Sequence, residues 1–277
     1  MRAVARLTLQ ELLRRRTTLV LLLTTLVVVA LSSWAFRALA HAYGPGGEAM
    51  LFASEQLIFV MLIFSGILAL AATFLSAAAV APEIESGVAL SLLARPLTRM
   101  RYILGKWLGL AALIGVFSLL TGGLEFLTAF WAVGFVPPHP VYALLAMTWE
   151  ALLLMTLALA LSTRLSTITS AIVGMVAFFV AWMAGIAGGL GQALHNATLL
   201  QIGGTAQILL PTNGLWQAAE YYLEPPSVVV LLRSIGRIGA NPFAALGPQT
   251  TAFYIWTAIW LLIVLGLAIW SMRRREL

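Results

Sequence analysis

The sequence predicts an all-α, polytopic membrane protein with six transmembrane helices, and three observations carry that prediction. Hydrophobic residues make up 61% of the 277-residue chain and charged residues only 9%, more apolar surface than a soluble domain could keep from water. Several apolar runs reach the roughly 20 residues a helix needs to cross a bilayer. These runs are continuous, whereas membrane β-strands alternate polar and apolar residues over about ten positions. The basic residues are also sorted by side. With the N-terminus inside, the inner segments hold Arg2, Arg6, Arg14, Arg15, Arg16, Arg95, Arg99, Arg101, Lys106, Arg164, Arg273, Arg274 and Arg275, and the outer segments only Arg37, Arg233 and Arg237. Thirteen against three is a strong positive-inside bias, and it places both termini in the cytoplasm of a multi-pass inner (cytoplasmic) membrane protein. The same asymmetry explains the net charge of +6, so the bilayer is the expected partner and nucleic acid is not.

The chain reads as one transmembrane domain, 1–277. Residues 1–16 form an expected interfacial helix, with Val4, Leu7 and Leu12 broadly on one side and arginines flanking them. The first span, Thr17–Ala40, exceeds the roughly 7–15 apolar residues of a signal peptide, so Ala40-His41-Ala42 is not read as a cleavage site. Further spans are expected at Leu57–Ala81, Trp107–Val133, Tyr142–Leu161, Ile168–Gly191 and Thr251–Ser271. The last outer segment, 192–248, has 57 residues, long for a structureless loop. Within it Asn213, Gln217, Glu220 and Glu224 recur at helical spacing, opposite Leu215, Trp216, Ala219 and Leu223. Pro225-Pro226 stops that helix, and Ser227 offers an N-cap for a second one over Val228–Ile238. Two short amphipathic helices on, or dipping into, the outer leaflet fit this pattern, as does an extracellular cap. Asn196-Ala197-Thr198 matches a glycosylation sequon, a three-residue match read as chance.

The segment between the second and third spans, 82–106, carries the chemistry for a soluble partner. Pro82 suits a first helical position, which puts Glu83 and Glu85 in a first turn, where the helix dipole favours negative charge. Val88, Leu92 and Leu93 give a partly apolar face, and Arg95-Pro96 breaks the helix. Arg99, Arg101 and Gly105-Lys106 lead into the third span. A short helix across the membrane's inner face results. A plain amphipathic connector would not need its two early glutamates.

The pattern Glu83-x-x-x-Gly87, Leu92-Leu93, Pro96-x-x-Arg99 and Gly105-Lys106 resembles the loop after the second span in type-2 permease subunits of ATP-binding-cassette transporters. The six-span layout, the long last outer segment and Arg273-Arg274-Arg275 are similar to that family too, so the resemblance covers the whole chain. Val88 departs from it, standing where the family often has threonine. The resemblance implies that the loop is a coupling helix docking into a separate cytoplasmic ATPase, with Glu83, Glu85, Ser86, Gly87, Leu92, Arg95, Pro96 and Arg99 as the coupling residues. It also implies a dimer with a second permease subunit, homo- or heteromeric, and ATP-driven transport, expected outward.

The chain's own contents agree that hydrolysis belongs elsewhere. The only lysine, Lys106, is followed by Trp107 and preceded six residues earlier by Met100, so no phosphate loop of the form G-x-x-x-x-G-K-[ST] exists. There is no aspartate for a Walker-B carboxylate. No catalytic group or cofactor is expected in this chain, and ATP with Mg²⁺ is expected on the partner. His41, His139 and His195 fall on separate segments without ligand spacing, and there is no cysteine, so no metal site is expected.

Glu125 and Glu150 stand apart, since ionisable residues at membrane depth are functional suspects. Each lies nine residues from the turn Gly134–Val141, about 13 Å at 1.5 Å per residue. They are expected at similar depth on antiparallel neighbours, facing a shared polar interior or gluing the fold. Gly105-x-x-x-Gly109, Gly185-x-x-x-Gly189 and the small side Ala72, Ser76, Ala79 suit close helix approach, within or between subunits. Two other functions remain open. One is a proton-coupled secondary transporter using Glu125 and Glu150, against which no inverted repeat is visible. The other is a membrane scaffold or mechanical transmitter whose outer helices act on an extracytoplasmic protein.

Overall fold

The computed structural model describes residues 2–13, 16–44, 47–86, 98–227, 230, 245 and 247–275, and among these every regular element is a helix. In order they are α1 (Arg2–Leu13), α2 (Arg16–Tyr43), α3 (Gly47–Glu85), α4 (Arg99–Val133), α5 (Pro140–Ser162), α6 (Thr167–Ala193), α7 (Ala197–Leu209), α8 (Thr212–Leu223) and α9 (Thr251–Arg273). Six of them, α2, α3, α4, α5, α6 and α9, are long and apolar enough to cross a membrane. The chain is therefore an all-α, multi-pass membrane protein.

Helix ends fall where the sequence supplies caps. Thr98, Ser166, Asn196 and Thr250 each accept a backbone N–H three residues on, from Arg101, Thr169, Leu199 and Phe253. Asn196 of the sequon thus has a structural task. Gly134 ends α4 at φ 75°, a left-handed conformation that glycine adopts without a Cβ penalty.

α3 and α5 pack on each other at the centre, and 61% of the most apolar window of each is buried. α2 lies at the rim, 17% buried over its window, with Leu23, Val27, Leu31 and Trp34 turned outward. Ala72, Ser76 and Ala79 are buried within this one chain. Hydroxyl and indole groups join the spans. Trp107 donates to Thr156 at 2.9 Å, Thr148 to Ser118 at 2.9 Å, and Trp149 to Thr257 at 3.0 Å. Gly109 brings α1 onto α4, because a Cβ there would stand 2.8 Å from the Ala5 carbonyl oxygen.

Three features differ from the sequence reading. Pro82 does not begin a helix but lies inside α3, which runs on to Glu85. The preceding Ala77, Ala79, Val80 and Ala81 are all buried, and this packing holds the backbone helical through the proline. Ser86 closes the turn with its N–H and hydroxyl both on the Pro82 carbonyl. Glu83 and Glu85 therefore sit in a last turn, where the dipole disfavours them. Second, α7 occupies a stretch not read as a helix. Third, α8 forms as expected, but both its sides are buried: Asn213, Glu220 and Glu224 are 6%, 4% and 5% exposed, like Leu215 and Leu223 behind them. α5 covers the apolar side, and α3 and α6 cover the polar one. Of the helix expected at Val228–Ile238, all but Val230 lies outside the described residues.

Candidate functional sites

At the end of the bundle that holds α1, the last turn of α3 and the first turns of α4, Lys106 is the organising group. It is 4% exposed and forms an ion pair with Glu83. Its ammonium lies 3.7 Å from the Glu11 carboxylate of α1 and 5.8 Å from the centre of the Tyr102 ring. Tyr102 donates its hydroxyl to the other Glu83 oxygen at 2.5 Å. Glu83 is thus turned inward and closes a lock between α3, α4 and α1. Glu85 and Ser86, two and three residues further on, are exposed. Arg99 sits at the start of α4 and donates to the carbonyls of Met272, Arg273 and Arg275, at 3.1, 2.7 and 2.8 Å. These orphan carbonyls close α9, where a cation is favoured. Gly87, Leu92, Arg95 and Pro96 lie outside the described residues.

Both intramembrane glutamates are buried, Glu125 at 1% and Glu150 at 3% exposure. Their partners differ. Ser32 of α2 donates to Glu125 at 2.5 Å, and Ser65 of α3 donates to Glu150 at 3.0 Å. Each carboxyl therefore joins its own helix to a different neighbour.

The opposite end holds a feature that sequence reasoning only half found. A cavity of about 220 Å³ lies between α3, α6 and α8, lined by Glu55, Phe59, Trp182, Gly185, Asn213, Trp216, Gln217 and Glu220 among others. Gly185 makes room for it, since a Cβ there would overlap the Asn213 amide. One oxygen of Glu220, one of Glu224 and the Asn213 amide nitrogen are buried without a hydrogen-bond partner among the described residues. Burial, then the carboxylates of Glu224 and Glu55, push Glu220 well above the usual carboxylate range, against a backbone hydrogen bond from Ala245. Burial and Glu55 push Glu224 up to about 7. The spacing of Glu220 and Glu224 was readable in the sequence. The approach of Glu55, about 165 residues earlier, was not.

These sites sit on a scaffold with a specific relationship. Among curated proteins, none matches the chain. A family model described as ABC-2 family transporter protein matches residues 3–277, the whole six-span bundle together with the lock and the acidic cavity. By that match the chain belongs to the ABC-2 transporter family, as a membrane-spanning permease subunit rather than the subunit that hydrolyses ATP.

Proposed function

We propose that this permease subunit is driven by a separate cytoplasmic ATPase that docks on the connection between α3 and α4, residues 82–106, and that it moves its cargo outward. The carrying observation is the division of labour at the end of α3. Glu83 is locked internally to Lys106 and Tyr102, while Glu85 and Ser86 face out beside it. A push on the exposed residues is delivered through the lock to α1 and α4. Arg99 carries the same displacement to α9. In this reading Glu85, Ser86, Gly87, Leu92, Arg95 and Pro96 form the docking surface, while Glu83 and Arg99 transmit force from it. ATP and Mg²⁺ sit on the ATPase, a second permease subunit completes the transporter, and both termini share the cytoplasmic side of the inner membrane with the docking loop.

The separate hydroxyl partners of Glu125 and Glu150 favour a joining role for them over a shared proton path. The test is co-purification of the ATPase from the native membrane with Glu85→Lys and, separately, Glu83→Gln. Glu85→Lys is expected to lose the ATPase while the permease inserts normally. Glu83→Gln is expected to keep the ATPase but lose coupled ATP hydrolysis. A Glu85→Lys permease that retains a fully active ATPase refutes the docking assignment.

A further inference from the structure

We infer that the cavity between α3, α6 and α8 is a binding site for a small ammonium compound that also carries a hydrogen-bond acceptor, such as an amino alcohol. The cavity offers what a positive charge needs, and among the described residues its lining holds no cation. Glu220 is 4% exposed, lines the cavity, and has one carboxylate oxygen without a partner. A buried carboxylate oxygen left this way is costly, and an opposite charge relieves it. Glu55 lines the same space from α3 and adds a second negative group. Trp182, Trp216 and Phe59 supply aromatic faces, and tryptophan is the best of the rings for holding a cation.

The polar groups define the rest of the ligand. The Asn213 amide nitrogen is a buried donor without an acceptor, also on the cavity wall, so the ligand brings a hydroxyl or carbonyl oxygen there. At about 220 Å³ the space is below the roughly 300–1,000 Å³ of common ligand pockets, which limits the ligand to a few heavy atoms. A metal ion fits less well. No three His or Glu side chains among the described residues gather closely enough to hold one. Rings and a neutral amide suit an organic cation instead.

Among the described residues the titratable groups facing Glu220 are Glu224 at the end of its own helix and Glu55 on α3, while α6 presents Trp182, Gly185 and Ile186 without charge. A cation entering here competes with protons on the carboxyls, so binding releases protons and tightens as pH rises.

An ammonium alcohol can arrive free or as a lipid headgroup, and the experiment separates the two. The permease alone, without ATP or ATPase, is placed in phosphatidylglycerol nanodiscs and titrated calorimetrically with ethanolamine, choline and tetramethylammonium. This readout is independent of transport and of ATPase coupling. Saturable binding is expected for ethanolamine or choline, weaker for tetramethylammonium, which lacks the oxygen. The heat should differ between buffers of different ionisation enthalpy, reporting proton release. Glu220→Gln should weaken binding at least about tenfold, since it removes the buried charge. Trp182→Leu should weaken it about fivefold. Glu55→Gln, at an exposed position, guards against a folding artefact and should weaken it too. Loss of the signal when phosphatidylethanolamine is added supports a headgroup as the natural source. Persistence supports a free amine. Absence of binding by any probe up to about 10 mM in the phosphatidylglycerol nanodiscs, or equal binding by Glu220→Gln and wild type there, overturns the site.

Discussion

Replacing Lys106 by methionine tests the lock at the end of α3. Methionine keeps the length of the stem and removes the ammonium. Glu83, with a side chain only 16% exposed, then keeps just the Tyr102 hydroxyl. Removing one partner of a buried pair costs about 3–5 kcal/mol, because the other charge stays buried. The partial exposure of Glu83 puts the expected loss at the low end, about 3 kcal/mol. For a chain of this size that corresponds to a fall of roughly 6–12 °C in Tm. Glu83→Gln alone should cost less, about 1–2 kcal/mol, because Lys106 still has Glu11 3.7 Å away. The double variant, Lys106→Met with Glu83→Gln, has no orphan charge left. It should melt no lower than Lys106→Met alone, giving a coupling energy of at least about 1–2 kcal/mol, the cost of Glu83→Gln by itself. The assay is thermal unfolding of the four proteins in one detergent at one scan rate. Additive losses, with coupling below about 0.5 kcal/mol, would show that the pair carries no mutual energy and cannot transmit force as a unit.

Other expectations follow from the remaining carboxyls. Glu224 has a folded pKa of about 7, above its ordinary 4.5, so the stabilisation tied to its protonated form is complete below about 4.5 and is lost as pH rises through 7. Glu220 acts in the same direction. Tm should therefore be higher at pH 5 than at pH 8, and Glu224→Gln should flatten the slope; an unchanged slope in that variant refutes the assignment. Glu125→Gln and Glu150→Gln should each leave transport and membrane abundance near wild type, because an amide oxygen can accept from Ser32 or Ser65, whereas Glu150→Leu should lower abundance by orphaning Ser65. Loss of transport in either Gln variant at normal abundance would instead place that carboxyl on the cargo path.

The spans were legible because lipid imposes an unbroken apolar run, a constraint written in consecutive residues. Their ends were less so. Proline is a local stop signal, but the buried alanines before Pro82 decided otherwise through contacts with other helices. α7 escaped reading because Ala197–Leu209 is too short for a span and has no clear polar side. On α8 the polar and apolar sides were plain, but the burial of the polar side depends on α3 and α6 folding over it. The positions of Glu125 and Glu150 were found from sequence, while Ser32 and Ser65 lie 93 and 85 residues from them. Serines of that kind are common, and nothing local marks these two.

α9 is held at two levels. At one, Arg99 and Arg164 grip its last carbonyls and Ser271. At the other, the indoles of Trp256 and Trp260 donate to the final carbonyls of α7, Ile208 and Leu209, at 3.1 and 2.7 Å. Between Trp256 and Ser271 the helix runs for 15 residues, about 22 Å at 1.5 Å per residue, and is stiff along its axis. It behaves as a connecting rod. On the proposed docking, a stroke applied where Arg99 emerges would reach α7, which abuts the helix carrying Glu220, so the two ends of the molecule would share a mechanical axis as well as a sequence.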